Sequence, residues 1–240
     1  MLRIRGLTVA YGAEPVLDGI DLDVQVGQFA SLVGPSGSGK TSILRAVTGL
    51  LTPTHGEVDL GVHAADVGFL FQDDALLPWR TVRENVTLGL RIRGVAPEAA
   101  AATAQGWLVS LGLAGLEDRY PRQLSGGQRK RVAIAQVLAL EPRLLLMDEP
   151  FASLDAIVRM RLTEELLTWV ERKHLTVLLV THDLEEAITL SDAVYVLSQG
   201  PRATIRAAHP VPIPRPRHVL ASRADQAFAP LLQRLWKDLE

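Results

Sequence analysis

The chain has 240 residues, 25 Lys and Arg against 27 Asp and Glu for a formal net charge of −2, 48% hydrophobic residues and no cysteine. That balance supplies a large core and excludes a disordered chain, disulfides and zinc–thiolate sites, and it gives no reason to expect nucleic acid. The longest unbroken apolar run, Ala193–Leu197, is five residues, far short of the roughly 20 that span a bilayer. Met1–Arg5 also breaks a secretory pattern at once, so a soluble, cytoplasmic protein is expected.

In chain order, Leu2, Ile4, Leu7 and Val9 carry a rough period of two, and Tyr11–Pro15 reads as a turn. Phe29–Val33 is a short buried strand that runs into a glycine cluster, and a helix follows from about Lys40 to Leu51. Val67–Phe71 is another apolar strand. From Val82 to Leu140 the spacing is helical, with an alanine-rich run from Ala96 to Leu113. Strands return at Leu144–Met147, Val177–Val180 and Ala193–Leu197, with helices between them at Ala156–Arg172 and Leu184–Leu190. Continuous apolar strands separated by helices describe a parallel sheet covered on both faces. Residues 82–140 are then a helical insert. Pro210, Pro212, Pro214 and Pro216 predict an extended, stiff linker. Phe228, Leu231, Leu232, Leu235 and Leu239 sit at helical spacing, for a last helix that packs back on the body.

Gly34-Pro35-Ser36-Gly37-Ser38-Gly39-Lys40-Thr41 fits G-x-x-x-x-G-K-[ST]. The glycines let successive backbone N–H groups point at phosphate oxygens; Lys40 reaches the β- and γ-phosphates and the Thr41 hydroxyl binds Mg²⁺. Ser42 follows on the same helix start. Leu144–Met147 leads into Asp148 and Glu149 at the C-terminal end of a strand, where open α/β sheets bind ligands. Asp148 fits a Mg²⁺ partner and Glu149 the base that polarises the attacking water; taken alone, strand-end acids read equally as structural. Leu124-Ser125-Gly126-Gly127-Gln128 precedes a helix. Ser125 is a good N-cap, and the helix start offers an anion site. Capping alone does not account for the adjacent glycines Gly126 and Gly127, which leave room for a phosphate.

These segments, followed by Ser153-Leu154-Asp155 and Thr181-His182-Asp183, occur in the order seen in the ATP-binding subunits of ATP-binding cassette (ABC) transporters, and the chain resembles that family over nearly its whole length. The resemblance implies a P-loop NTPase core of class α/β with an antiparallel β subdomain and a helical subdomain insert. Residues 1–81 and 141–209 would form the core with the β subdomain, 82–140 the helical subdomain, and 210–240 a Pro-rich linker and C-terminal helix. It further implies ATP hydrolysis with Mg²⁺. Tyr11 would stack on adenine, although the residue alone reads as well as a core or turn tyrosine. Gln72 would touch Mg²⁺ and sense a transmembrane partner, Asp155 would lie on a loop crossing a dimer interface, and His182 would act as the switch beside the γ-phosphate. Two copies would pack head-to-tail so that Ser125, Gly126, Gly127 and Gln128 of one close over the ATP of the other.

Gln72-Asp73-Asp74-Ala75-Leu76-Leu77-Pro78-Trp79 resembles importer subunits of the nitrate/sulfonate/taurine type, as do His182–Ala187, Val196–Ser198 and Pro214–His218. The implied partners are transmembrane permease subunits, a second copy of the chain and, indirectly, a solute-binding protein, with the chain peripheral on the cytoplasmic side of the membrane. An exporter or lipid-transfer subunit shares every catalytic motif, and a soluble ABC ATPase is the remaining alternative. Lys130 and Gln136 depart from the family, which more often carries Gln and Arg there. Arg129-Lys130-Arg131 is expected to be a solvated helix face. Trp79 serves equally as a partner anchor or a packed aromatic.

Overall fold

The computed structural model describes residues 1–12 and 14–240. Two sheets stack in it. The smaller is antiparallel in the order β2 (Pro15–Val24), β1 (Leu2–Ala10), β4 (His55–Leu60). The rough period of two along β1 has a physical origin. Leu2 and Ile4 face the core, the register slips before Leu7, and Gly6 takes φ +56° at the slip. An extra residue at a bulge shifts the alternation by one, so Leu7 and Val9 return to the buried face. β4 was not legible in the sequence: most of its residues are exposed, which leaves no alternation to read.

The larger sheet runs β5 (Val67–Leu70), β6 (Leu144–Asp148), β7 (Thr176–Thr181), β3 (Phe29–Val33), β8 (Ala193–Leu197), β9 (Ile205–Pro210). All its pairs are parallel except β8–β9. Every residue of β3, β6 and β7 is buried, as expected for strands covered on both faces. Alternation persists inside these all-apolar strands. Leu145, Met147, Val177 and Leu179 face one core, and Leu144, Leu146, Leu178 and Val180 the other, towards the antiparallel sheet and helix α1 (Lys40–Val47). On the first face lie α2 (Val82–Ile92), α3 (Pro97–Ser110) and α4 (Gly126–Leu138), which pack on one another, and α5 (Ala156–Lys173). No helix among the described residues is long and apolar enough to cross a membrane.

Two elements stop short of the sequence reading. α1 stops at Val47 rather than Leu51, because Thr48 caps it and Gly49 turns the chain at φ +72°. β5 stops at Leu70, leaving Phe71 outside the ladder.

The proline-rich segment is no free linker. Val211 and Ile213 are buried, and Arg217 is 5% exposed, so alternate residues of an extended strap face the body. Arg217 Nη1 lies 2.9 Å and Arg215 Nη2 2.5 Å from the Asp192 carboxylate, which also accepts the Phe29 N–H at 2.8 Å. After α7 (Val219–Ala224), α8 (Phe228–Leu239) lays Phe228, Leu231 and Leu235 against α6 (Leu184–Leu190) and β8. The last helix does pack back, as expected.

Burial pushes the Asp192 carboxyl up, but the Phe29 N–H and the two guanidinium groups outweigh it and hold the group below the usual aspartate range. A carboxylate with a depressed folded pKa stabilises the fold above its unfolded pKa and loses that contribution as pH falls through the folded value. Asp192→Asn is therefore expected to cost about 2–3 kcal/mol at neutral pH, the scale of charge-assisted hydrogen bonds. In urea titrations at decreasing pH the gap to wild type should hold to about pH 4 and then close. A gap that does not change with pH would show that packing, not the ion pairs, fixes the strap.

Candidate functional site

Parallel pairing puts the C-terminal ends of β5, β6, β7 and β3 on one edge, the edge at which open α/β sheets receive ligands. β3 ends in Gly34–Gly39, β6 in Asp148-Glu149, β7 in Thr181-His182, and Gln72 follows β5. Gly37 and Gly39 take φ +78° and +93°, conformations open to glycine at little cost. A Cβ on Gly39 would lie 2.7 Å from Leu17 Cδ2, so space and backbone both require glycine at the start of α1.

A cleft of about 460 Å³ is lined by Tyr11, Val16, Ser36, Gly37, Gly39, Lys40, Thr41, Ser42, Arg45, Gln72 and Glu149. A second, of about 520 Å³, adjoins it and is lined by Thr41, Arg45, Gln72, Asp148 and four neighbours. Residues far apart in sequence thus share one site. Lys40 Nζ donates to the Gly34 and Pro35 carbonyls at 2.8 Å each. Burial lowers its pKa, against the opposing pull of Glu149 and Asp148. Thr41 Oγ1 donates to Asp148 Oδ1 at 3.2 Å; the Asp148 carboxyl is raised, burial outweighing that bond. The Ser38 hydroxyl is buried without a partner among the described residues. Tyr11 is half exposed at the cleft mouth, with its hydroxyl 3.2 Å from Ser42 Oγ.

Glu149 has φ +44°, a left-handed conformation that costs a non-glycine residue of order 1 kcal/mol or more and clusters at functional sites. Its N–H is fixed to the Val180 carbonyl at 2.8 Å, and its Oε2 lies 3.0 Å from Nδ1 of His182. The β6–β7 register, Asp148 opposite Val180, is what brings these two motifs together.

Ser125 and Gln128 cap α4 reciprocally: Ser125 Oγ accepts the Gln128 N–H at 3.2 Å, and Gln128 Oε1 accepts the Ser125 N–H at 2.9 Å. Neither these residues nor Gly126, Gly127 and Asp155 line the clefts. The glycine pair divides. A Cβ on Gly126 meets only Arg129 Nη2 at 3.8 Å, whereas one on Gly127 would stand 2.9 Å from Val158 Cγ1. Gly127 therefore also serves close packing on α5, while the space beside Gly126 is open. Asp155 caps α5, accepting the N–H groups of Ile157 and Val158 at 3.1 and 3.0 Å.

The basic cluster is not a solvated face. Lys130 is 1% exposed and bonded to Asp74, and Arg131 bonds the Leu111 carbonyl and Glu165. Three residues near the site were missed. Arg45 stands four residues after Thr41, one helical turn that signals a shared face. Arg159 bonds the Leu154 carbonyl at 3.1 Å and Asp183 at 3.5 Å, joining the segment before α5 to that after His182. Glu186, pushed up to about 7 by burial, accepts the Thr181 hydroxyl at 2.5 Å; nothing in the local sequence marks it.

Residues 17–152 match the ABC transporter family. The chain belongs to that family. Over 98% of its length it is 43% identical to the aliphatic sulfonates import ATP-binding protein SsuB 2 of Rhodococcus jostii, covering 92% of that protein. It is also 43% identical to the taurine import ATP-binding protein TauB of Yersinia pestis, over 84% of this chain and 81% of that one. Among solved structures, the dimeric post-hydrolysis ATP-binding cassette MJ0796 with ADP and Pi superposes with a TM-score of 0.77 at 30% identity, over 88% of this chain and 99% of that one. The fold is that of an ABC ATPase, and as a family member the chain binds and hydrolyses ATP with Mg²⁺. The donors fit that ion: a hydroxyl and a carboxylate 3.2 Å apart, with the Gln72 amide in the same cleft. Mg²⁺ is typically held by one or two carboxylates plus substrate phosphates rather than by an all-protein cage. No cluster of three His, Cys, Asp or Glu suited to a metal occurs among the described residues.

Proposed function

We propose that this chain is the ATP-hydrolysing subunit of an importer for small sulfonate- or taurine-like solutes, working at the cytoplasmic face of the membrane beneath transmembrane permease subunits. Its layout would be a RecA-like core (1–81 and 141–209), a helical insert (82–140) and a C-terminal segment (210–240). The convergence of Lys40, Thr41, Gln72 and Glu149 on one cleft carries the reading of the chemistry. The likeness to SsuB 2 along 98% of the chain carries the solute class.

In this reading the N–H groups of Ser36–Thr41, with the Ser38 and Ser42 side chains beside them, bind the triphosphate. Lys40 shifts its donors from the Gly34 and Pro35 carbonyls to the β- and γ-phosphates, and Tyr11 stacks on adenine. Thr41, Asp148 and Gln72 would hold Mg²⁺, which would neutralise charge building on the transferred phosphoryl group. Glu149 accepts the proton of the attacking water, oriented by the nearby His182. A second copy closes the site with its own Ser125, Gly126, Gly127 and Gln128, while Asp155 of each lies between the two nucleotides. A proton acceptor on one chain and a lid from another make hydrolysis a property of the assembled pair.

The test is affinity purification of the tagged chain from detergent-solubilised membranes, then reconstitution of what co-purifies into liposomes. A multispanning partner is expected, with ATPase activity stimulated by taurine or an alkanesulfonate together with a solute-binding protein. Stimulation by apolar compounds without a binding protein would reverse the direction of transport and overturn the reading.

A further inference from the structure

The helix that begins at Ser125 also carries, one turn further on, a lysine with no exposure to solvent worth the name. Lys130 is 1% exposed, and its Nζ lies 3.0 Å from Asp74 Oδ1, 3.1 Å from the Gln72 carbonyl and 3.5 Å from the Phe71 carbonyl. An ammonium has three donors and no acceptor; here each has a partner, and all three partners lie between residues 71 and 74. The second oxygen of Asp74 faces Arg129 Nε at 3.5 Å, and Arg129 Nη1 donates to the Leu124 carbonyl at 2.8 Å. Both ends of one carboxylate are thus held from the first turns of α4.

The segment held belongs to no helix or strand, and the Gln72 side chain is exposed and lines both clefts. Its amide is therefore located by its backbone, and Lys130 bonds that backbone directly. A buried charge with one partner removed is strongly destabilising, so the grip has little freedom to slip. We infer that Lys130 and Asp74 form a pin that positions Gln72 in the cleft it shares with Thr41 and Asp148. Lys130 is a positioning residue, not a catalytic one. The inference rests on the proposed role of Gln72 at the metal.

The experiment compares wild type, Lys130→Gln, Asp74→Asn and Gln72→Ala in the full chain. A fluorescent ATP analogue is titrated with and without Mg²⁺, and ATPase kinetics and melting are measured alongside. Lys130→Gln and Asp74→Asn should bind nucleotide within twofold of wild type in the absence of Mg²⁺. They should need at least fivefold more Mg²⁺ to reach half of the metal-dependent binding, with kcat at least tenfold lower and KM for ATP within threefold. Gln72→Ala should do the same, and adding Lys130→Gln to it should change the Mg²⁺ requirement no further. If either single variant fails to fold, the paired change Lys130→Met with Asp74→Leu decides by the same Mg²⁺ titration, since it removes both members of the ion pair and leaves no buried charge without a partner. Wild-type Mg²⁺ dependence in Asp74→Asn alongside a shifted Gln72→Ala overturns the pin. An unshifted Gln72→Ala overturns the role of Gln72 itself.

Discussion

Replacing Glu149 with glutamine is expected to leave ATP binding intact and to lower turnover by at least a hundredfold, the scale at which a positioned general base contributes. The substitution is nearly isosteric, so it keeps the left-handed backbone at φ +44° and the bond from the Glu149 N–H to the Val180 carbonyl. It also keeps an oxygen facing His182, 3.0 Å away in the wild type. What it removes is the capacity to accept a proton. Asp148, its neighbour in the chain, already accepts the Thr41 hydroxyl and is buried, so it is not placed to substitute. With the γ-phosphate retained, the pair of chains should persist. Phosphate release, a nucleotide titration and gel-filtration mass in ATP separate the steps. Turnover near wild type would assign water activation elsewhere, and lost binding would mean that the substitution disturbed the loop instead.

How much of this was legible depends on whether a feature is local. Gly34–Thr41 is contiguous, and its strand, turn and helix lie in one short window, so both the loop and its chemistry could be read from sequence. Glu149 and His182 could be named separately, but their 3.0 Å contact follows from the β6–β7 register, which no local pattern carries. Lys130 reads as one charge in a basic run because its partner Asp74 lies on a distant loop; helical spacing cannot show that the run faces inward. Gly127 carries a second requirement that is not local. A glycine beside a cap suggests an anion site, and only the fold adds that a Cβ there would stand 2.9 Å from Val158 Cγ1 on another helix. The proline-rich strap misled for a third reason. Proline fixes φ and predicts extension correctly, but the buried set of Val211, Ile213 and Arg217 was the signal that the extended chain is packed, and the prolines between them hid its period of two.

Lys40→Met should weaken ATP binding by roughly 10- to 100-fold, the equivalent of about 1.5–3 kcal/mol for charge-assisted hydrogen bonds, while barely changing the stability of the nucleotide-free chain. The two halves follow from the same geometry. The Lys40 ammonium is buried between the Gly34 and Pro35 carbonyls, and burial lowers its pKa. A lysine whose folded pKa lies below its unfolded value destabilises the fold at neutral pH, and that penalty disappears only as pH rises through the unfolded pKa near 10.4. Methionine keeps the apolar stem and removes the penalty, but it also removes two hydrogen bonds, so the net change in the free chain should stay within about 1 kcal/mol. The bound state has no such compensation, because the triphosphate loses a cation held in a site already shielded from water. Isothermal titration with ATP and denaturant melts without it provide both numbers. A large loss of stability would mark Lys40 as a clasp for the empty loop; unchanged affinity would remove it from the phosphate site. A split between the two measurements is the signature of a charge whose folding cost is recovered only when phosphate arrives.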